Sequence, residues 1–300
     1  MPMYYLIYGL LYLISLLPFR VLYGLSDLIA FILYKWVRYR RDVVQSNLEI
    51  AFPEKTEEER DQICRAFYYR FSDNFIELLK LISLPPQSVQ KRFKCDIAFM
   101  QQLHKEGLSV DFVLGHYFNW EWSNLAYAQI NPLKQLVVYA HVSSPIAERL
   151  MHTIRSRFGT ILIDSQKFKE QYKPYALEQK SFVLVADQNP RFIKGAVWLK
   201  FFGRRTAFTR GPDTNARMAN NAVVLCQIKR IKRGYYTTHL ELLTRAAREL
   251  PRGEITRKSV AFFEKVIRED PPNYLWSHRR WKHSFQPERD SKNLLDEQGD

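Results

Sequence analysis

The chain has 300 residues, 46% of them hydrophobic, 14% aromatic and 25% charged, a balance that excludes a disordered protein and allows one large catalytic domain with accessory elements. A formal net charge of +14 favours a polyanionic partner, whether nucleic acid, an anionic membrane, a phosphorylated substrate or an acidic protein. Three distant cysteines, Cys64, Cys95 and Cys226, without CxxC spacing, argue against disulfides or a zinc site and fit a reducing cytosolic compartment.

Met1 to Phe19 carries no charge, and Tyr4 to Phe19 is apolar all round, close to the roughly 17 to 20 residues that cross a bilayer. It reads as a segment that spans or lies embedded. A second apolar stretch, Val21 to Tyr34, is interrupted only by Asp27, and Lys35, Arg38, Arg40 and Arg41 follow as a basic cluster that marks the cytoplasmic side. A cleaved signal peptide is disfavoured, because no positive charge precedes the run and no small-residue cleavage site follows it. A buried helical hairpin is the alternative, since both runs are short and Arg20 and Asp27 lie among them. Residues 1–41 are thus expected to form a hydrophobic membrane anchor with a basic flank.

Residues 42–94 are expected to be helical and to pack on the catalytic domain. Thr56-Glu-Glu-Glu59 has the pattern of a capping box, and Ile63, Phe67, Phe71, Phe75, Leu78, Leu79 and Ile82 recur at helical spacing until Pro85-Pro86 ends the helix. Across 95–285 short apolar runs alternate with amphipathic patterns, which predicts an α/β domain with a central, mostly parallel sheet flanked by helices. Strands are predicted over 112–114, 136–140, 161–163, 182–186, 223–228 and 236–243, and helices over 121–130, 145–158, 212–219 and 256–269. The polar stretch 286–300 is expected to be loose.

His116 follows the strand pattern Phe112-Val-Leu-Gly115 and precedes a helix whose first turn holds Glu121. The carboxyl end of a strand is where an α/β sheet gathers catalytic groups, and histidine titrates near working pH. His116 therefore reads as a general base for a substrate hydroxyl, with Glu121 holding its ring and stabilising the imidazolium. Spacing alone is weak support, since His283 and Glu288 repeat it in the polar tail without a strand-to-helix context.

Val113-Leu-Gly-His-Tyr-Phe-Asn-Trp-Glu-Trp122 resembles the first signature block of the lipid A late (secondary) acyltransferases, lauroyl and myristoyl transferases within the glycerolipid acyltransferase superfamily with its HX4D/E motif. Arg155-Ser-Arg-Phe-Gly159, Ala186-Asp-Gln-Asn-Pro190, Phe201-Phe-Gly203, Thr209-Arg-Gly-Pro212 and Pro272-Asn-Tyr-Leu-Trp-Ser-His-Arg-Arg-Trp-Lys282 resemble later blocks in the family's order. The resemblance implies a glycerolipid acyltransferase-like fold at the cytoplasmic side of a bacterial inner membrane. It also implies acyl transfer from acyl carrier protein or another thioester to a hydroxyl of a phosphorylated glycolipid, without metal or cofactor. Phe118 departs from the family pattern, where a small residue, often Gly, is usual; its ring stands where it would narrow the acyl or acceptor pocket.

The positive charge then has a reason, because the acceptor's phosphates, the acidic carrier and the inner leaflet are all anionic. Arg155, foremost, with Arg157, Arg204, Arg205, Arg210, Arg279 and Arg280, are candidates for phosphate contacts; the alternative for each is a solvated or weakly paired cation. Asp187 is a candidate to orient an arginine or the acceptor, or else to cap a helix. Asn119 is a candidate oxyanion donor or a turn residue, and the tryptophans read as core.

No G-x-S-x-G elbow, P-loop, GxGxxG or HExxH occurs, so direct attack by the acceptor hydroxyl, without an acyl-enzyme, fits better than serine chemistry. Lys229-Arg-Ile-Lys-Arg233 beside Tyr235 and Tyr236 admits a nucleic-acid-binding reading, but it reads more simply as a solvated hairpin end or membrane-facing loop. No nucleic-acid partner is expected. Transfer to a different lipid acceptor stays open.

Overall fold

The computed structural model describes residues 2–295. Nine strands are found among them: β1 (Phe93–Lys94), β2 (Val110–Leu114), β3 (Lys134–Tyr139), β4 (Ile161–Asp164), β5 (Lys180–Val185), β6 (Val197–Phe201), β7 (Arg204–Phe208), β8 (Ala222–Lys232) and β9 (Tyr235–Thr244). Seven form one sheet in the order β1-β9-β8-β2-β5-β3-β4, and every pairing is parallel except β8 with β9. All five residues of β2 are buried, as a strand between two neighbours and under helices on both faces must be. The α/β class and the six predicted strands agree with this sheet. The β6–β7 hairpin, Val197 paired to Phe208 through Phe201 to Arg204, is an element the sequence pattern did not predict.

Helices α1 (Pro2–Leu16), α2 (Phe19–Ile32), α3 (Arg41–Ala51), α4 (Glu57–Lys80), α5 (Pro86–Arg92) and α6 (Ile97–Lys105) precede β2. Later come α7 (Trp120–Ala128), α8 (Pro145–Arg155), α9 (Phe168–Tyr172), α10 (Gly211–Ala219), α11 (Glu254–Glu269) and α12 (Pro287–Asp290). The predicted capping box starts α4: Glu59 N–H donates to Thr56 Oγ1 at 3.2 Å, and Thr56 N–H to the Glu59 carboxylate at 2.7 Å. Pro85-Pro86 ends one helix and also opens the next, with Pro86 in its first turn.

The apolar N-terminus is an elbow. No single described helix is long and apolar enough to cross a membrane, and α1 and the segment Phe19–Val37 are bent by 113°. Pro18 separates them, and the buried Lys80 ammonium caps the carbonyls of Ser15 at 2.6 Å and Leu17 at 2.9 Å. Asp27, the polar interruption, reaches Arg233 at 2.7 Å, and Ser26 donates to Asp73 at 2.7 Å. One side of the elbow thus packs on α4, while Leu6 (76% exposed), Leu13 (64%) and Leu28 (55%) stay outside.

Two expectations change here. The Lys229–Arg233 run is not wholly solvated, because Arg230 and Arg233 turn inward onto the buried Asp73. The stretch expected to be loose is folded as far as Leu295: α12 is followed by a bridge of Leu294 to Trp198, and Leu295 N–H donates to Trp198 O at 3.0 Å. Residues 296–300 of that expectation lie outside the described residues.

Candidate active site

His116 leaves the carboxyl end of β2 on a tight turn, in which Tyr117 N–H donates to Gly115 O at 2.8 Å. Tyr117 folds back over Gly115 so closely that a Cβ there would lie 2.9 Å from its ring, so only glycine fits before the histidine. Asn119 then takes a left-handed conformation with φ 69°, and its N–H is capped by Asn74 Oδ1 of α4 at 2.9 Å. The turn delivers Glu121 into the first turn of α7.

A cavity of about 470 Å³ opens beside it, lined by His116, Trp120, Glu121 and Arg155 and, among others, by the apolar Phe112, Leu114, Val137 and Val183. His116 Nδ1 and Asp187 Oδ1 are 2.6 Å apart, with the carboxylate buried in the turn after β5. Burial alone pushes the Asp187 carboxyl up, but His116 and then Arg280 outweigh it and hold it below its ordinary value. His116 Nε2 donates to or accepts from none of the described side chains near the cavity.

Glu121 does not hold the histidine ring, contrary to the sequence expectation. Its carboxylate is taken by Arg155 of α8 in a two-pronged pair, Nε at 2.9 Å and Nη2 at 2.6 Å from Oε1. Burial lowers the Arg155 guanidinium, yet the adjoining Glu121 outweighs it and its pKa rises. Trp120 joins the two halves: its ring meets His116 edge-on at 5.5 Å between centroids, and its indole N–H donates to Glu121 at 3.0 Å. Asp187 caps no helix among the described residues; its Oδ1 is bonded to His116.

The remaining candidates divide. Arg157 donates to the carbonyls of Leu81 and Leu84 and closes the end of α4. Arg280 is 1% exposed, donates to Asn189 Oδ1 at 2.9 Å and Ala207 O at 2.8 Å, and is lowered to about 10 by burial. Neither is a surface cation waiting for phosphate. Asn119 serves the turn and does not line the cavity. Arg204 and Arg279 share a separate shallow cleft with Lys282 and Asp42, while Arg210 touches Asn293 in another. Arg205 stacks on Phe285. Phe118 does not narrow the cavity either; it is 1% exposed and packs against Phe67 and Phe71 of α4. His283 and Glu288, the decoy pair, lie outside the site.

The C-terminal segment braces the turns after β2 and β5. Leu275 N–H donates to His116 O at 3.2 Å, Phe118 N–H to Asn273 O at 3.1 Å, and Asn189 N–H to His278 Nε2 at 3.3 Å. Burial foremost brings His278 down to about 4, despite the pull of Asp187, so its ring is neutral and free to accept. The sequence reading singled out the arginines of this block and passed over His278, whose signal was its place within that block.

A profile of bacterial lipid A biosynthesis acyltransferases matches residues 1–283. The chain belongs to that family. Among its relatives are the lipid A biosynthesis palmitoleoyltransferase of Escherichia coli (strain K12), 22% identical over 94% of this chain and 92% of the relative. The lauroyltransferase of the same organism is 23% identical over 94% and 92%, and an acyltransferase of Shigella flexneri 22% over the same shares as the first. The protein is thus an acyltransferase of bacterial lipid A biosynthesis, and its match covers the elbow as well as the sheet.

Proposed function

We propose that this acyltransferase moves a fatty acyl chain from a carrier-protein thioester to a hydroxyl of a phosphorylated glycolipid, with His116 as general base. The observation that carries the reading is the 2.6 Å bond to a buried carboxylate from Nδ1 of His116, which itself lines a cavity of mixed polar and apolar walls. With Nδ1–H donated to Asp187, Nε2 is the nitrogen that accepts a proton. The acceptor hydroxyl passes its proton to Nε2 as its oxygen attacks the thioester carbonyl; the C–S bond breaks and the proton moves on to the departing thiolate. Ester and free thiol are the products.

Asp187 stabilises the transient imidazolium. Glu121 orients Arg155, whose Nη1 edge remains for the developing oxyanion or an acceptor phosphate. The apolar depth of the cavity takes the acyl chain. The exposed leucines of the elbow, with Lys35 and Arg38 beyond it, seat the protein on the cytoplasmic face of the inner membrane, where a lipid acceptor resides.

The test incubates the full chain with lauroyl and palmitoleoyl carrier-protein thioesters and a lipid A precursor, and weighs the lipid products. One added acyl group is expected, and none with His116→Ala. Transfer to another glycolipid but to no lipid A precursor would overturn the acceptor, and full activity of His116→Ala would overturn the base.

A further inference from the structure

A second cleft, of about 620 Å³, lies between α10, the start of α11 and the C-terminal strap 292–295, and it shares no lining residue with the catalytic cavity. Five cations line it, Arg210, Arg217, Arg248, Arg252 and Lys292, against one carboxylate, Asp213. Asp213 is already occupied, accepting Gly253 N–H at 3.0 Å. Arg217 donates to the carbonyls of Ala247 and Leu250, Arg248 to those of Arg217 and Met218, and Arg210 to Asn293. Arg252 and Lys292 have no hydrogen-bonded or ionic partner among the described residues.

Thr256 supplies an independent sign. Its side chain lines the same cleft and is 5% exposed, yet its hydroxyl has no hydrogen-bond partner among the described residues. Buried hydroxyls are nearly always paired, and one left open beside two cations without a partner among the described residues suits an acceptor that carries negative charge. The 16-residue α11 begins here and adds the positive end of its dipole. Gly253, φ 86°, lets the strap close in, since a Cβ there would meet Leu295 at 2.8 Å. Lys292 and Leu295, which form the outer wall, lie beyond residues 1–283 matched by the family profile.

We propose that this cleft binds a phosphate monoester, with Arg252 and Lys292 supplying charge and Thr256 a hydroxyl donor, independently of acyl transfer. A phosphate monoester presents three strong acceptor oxygens at close to two negative charges, which suits two cations, a hydroxyl and a helix start.

Full-length protein in neutral detergent is titrated calorimetrically with inorganic phosphate, and in a second arm with short-chain phosphatidic acid in the micelles, at constant ionic strength. The Arg252→Ala/Lys292→Ala double variant is expected to weaken binding by about tenfold or more, and Thr256→Val by a few-fold. A loss in the phosphate arm assigns a soluble phosphate, and a loss confined to phosphatidic acid assigns a lipid headgroup. Affinity unchanged by the double variant in both arms, or no binding by the wild-type chain in either, overturns the proposal. Retained catalytic-cavity function of the double variant, read as acyl transfer, separates this cleft from the active site.

Discussion

Asp187 and Asp73 are both buried carboxylates facing ionisable partners, one beneath the cavity and the other beneath the N-terminal elbow. Asp73 receives Ser26, Arg230 and Arg233 together, and Glu77, one turn along α4, receives the hydroxyls of Tyr23 and Tyr236 at 2.7 Å each. Each of these donors ends on a carboxylate, and the network ties α2, α4 and the β8–β9 hairpin together. Asp187 instead holds a ring whose other nitrogen borders a cavity. The same chemistry makes a clamp where it is closed and, on the reading proposed above, a reactive site where it is left open at one atom.

The widest separation of the two clusters is expected from His116→Ala, which should lower kcat/KM by about 10⁴-fold, far more than the loss of melting temperature from leaving Asp187 without its partner accounts for. Asp187→Asn should cost about 10³-fold, because the ring loses its tautomer and its counter-charge. Glu121→Gln is the sharpening control in the same kinetic assay. If it costs more than Asp187→Asn, the ring partner is Glu121 after all.

On the other side, Asp73→Ala should destabilise the fold by about 3 kcal/mol in chemical denaturation, since it strands two guanidiniums, with activity per folded molecule preserved. Glu77 gives a smaller effect with a sign. Burial, against the hydrogen bonds of Tyr236 and Tyr23, raises its carboxyl from 4.5 to about 7, so the folded chain holds that proton more tightly than the unfolded one. Its contribution is complete below about pH 4.5 and is lost as pH rises through about 7. Glu77→Gln should flatten the melting temperature across that window. Phe118→Ala should leave the chain length of the product unaltered and lower stability only, which product mass and a melting curve check together.

Period and punctuation carried much of the architecture. The six strands of the sheet core and the capped helix 57–80 stand out in sequence because their burial is one-sided or continuous and their ends carry cap residues. The β6–β7 hairpin did not: Phe202-Gly203 turns it with positive φ at both residues, 51° and 73°, and only Gly203 is of a type that favours such a turn, while a bulky Phe precedes it. The helix 97–105 was not predicted, although its length equals that of α7 and α10, which were. At the site, strand position marked His116, but its partner lies 71 residues away across the sheet, a distance no local spacing can encode. Glu121 looked like the partner because it is near in sequence; Arg155, brought in by α8, takes it away. Arg157 and Arg280 looked like surface cations until the fold supplied carbonyls for them.

Trp120, edge-on to His116 and bonded to Glu121, gives the enzyme an optical probe of its own chemistry. A protonated imidazole beside an indole quenches its emission, so each proton taken up by His116 dims this one fluorophore. Subtracting the signal of Trp120→Phe isolates that change from the other five tryptophans. Occupancy of the base then becomes readable in a cuvette, with no label attached and no product collected.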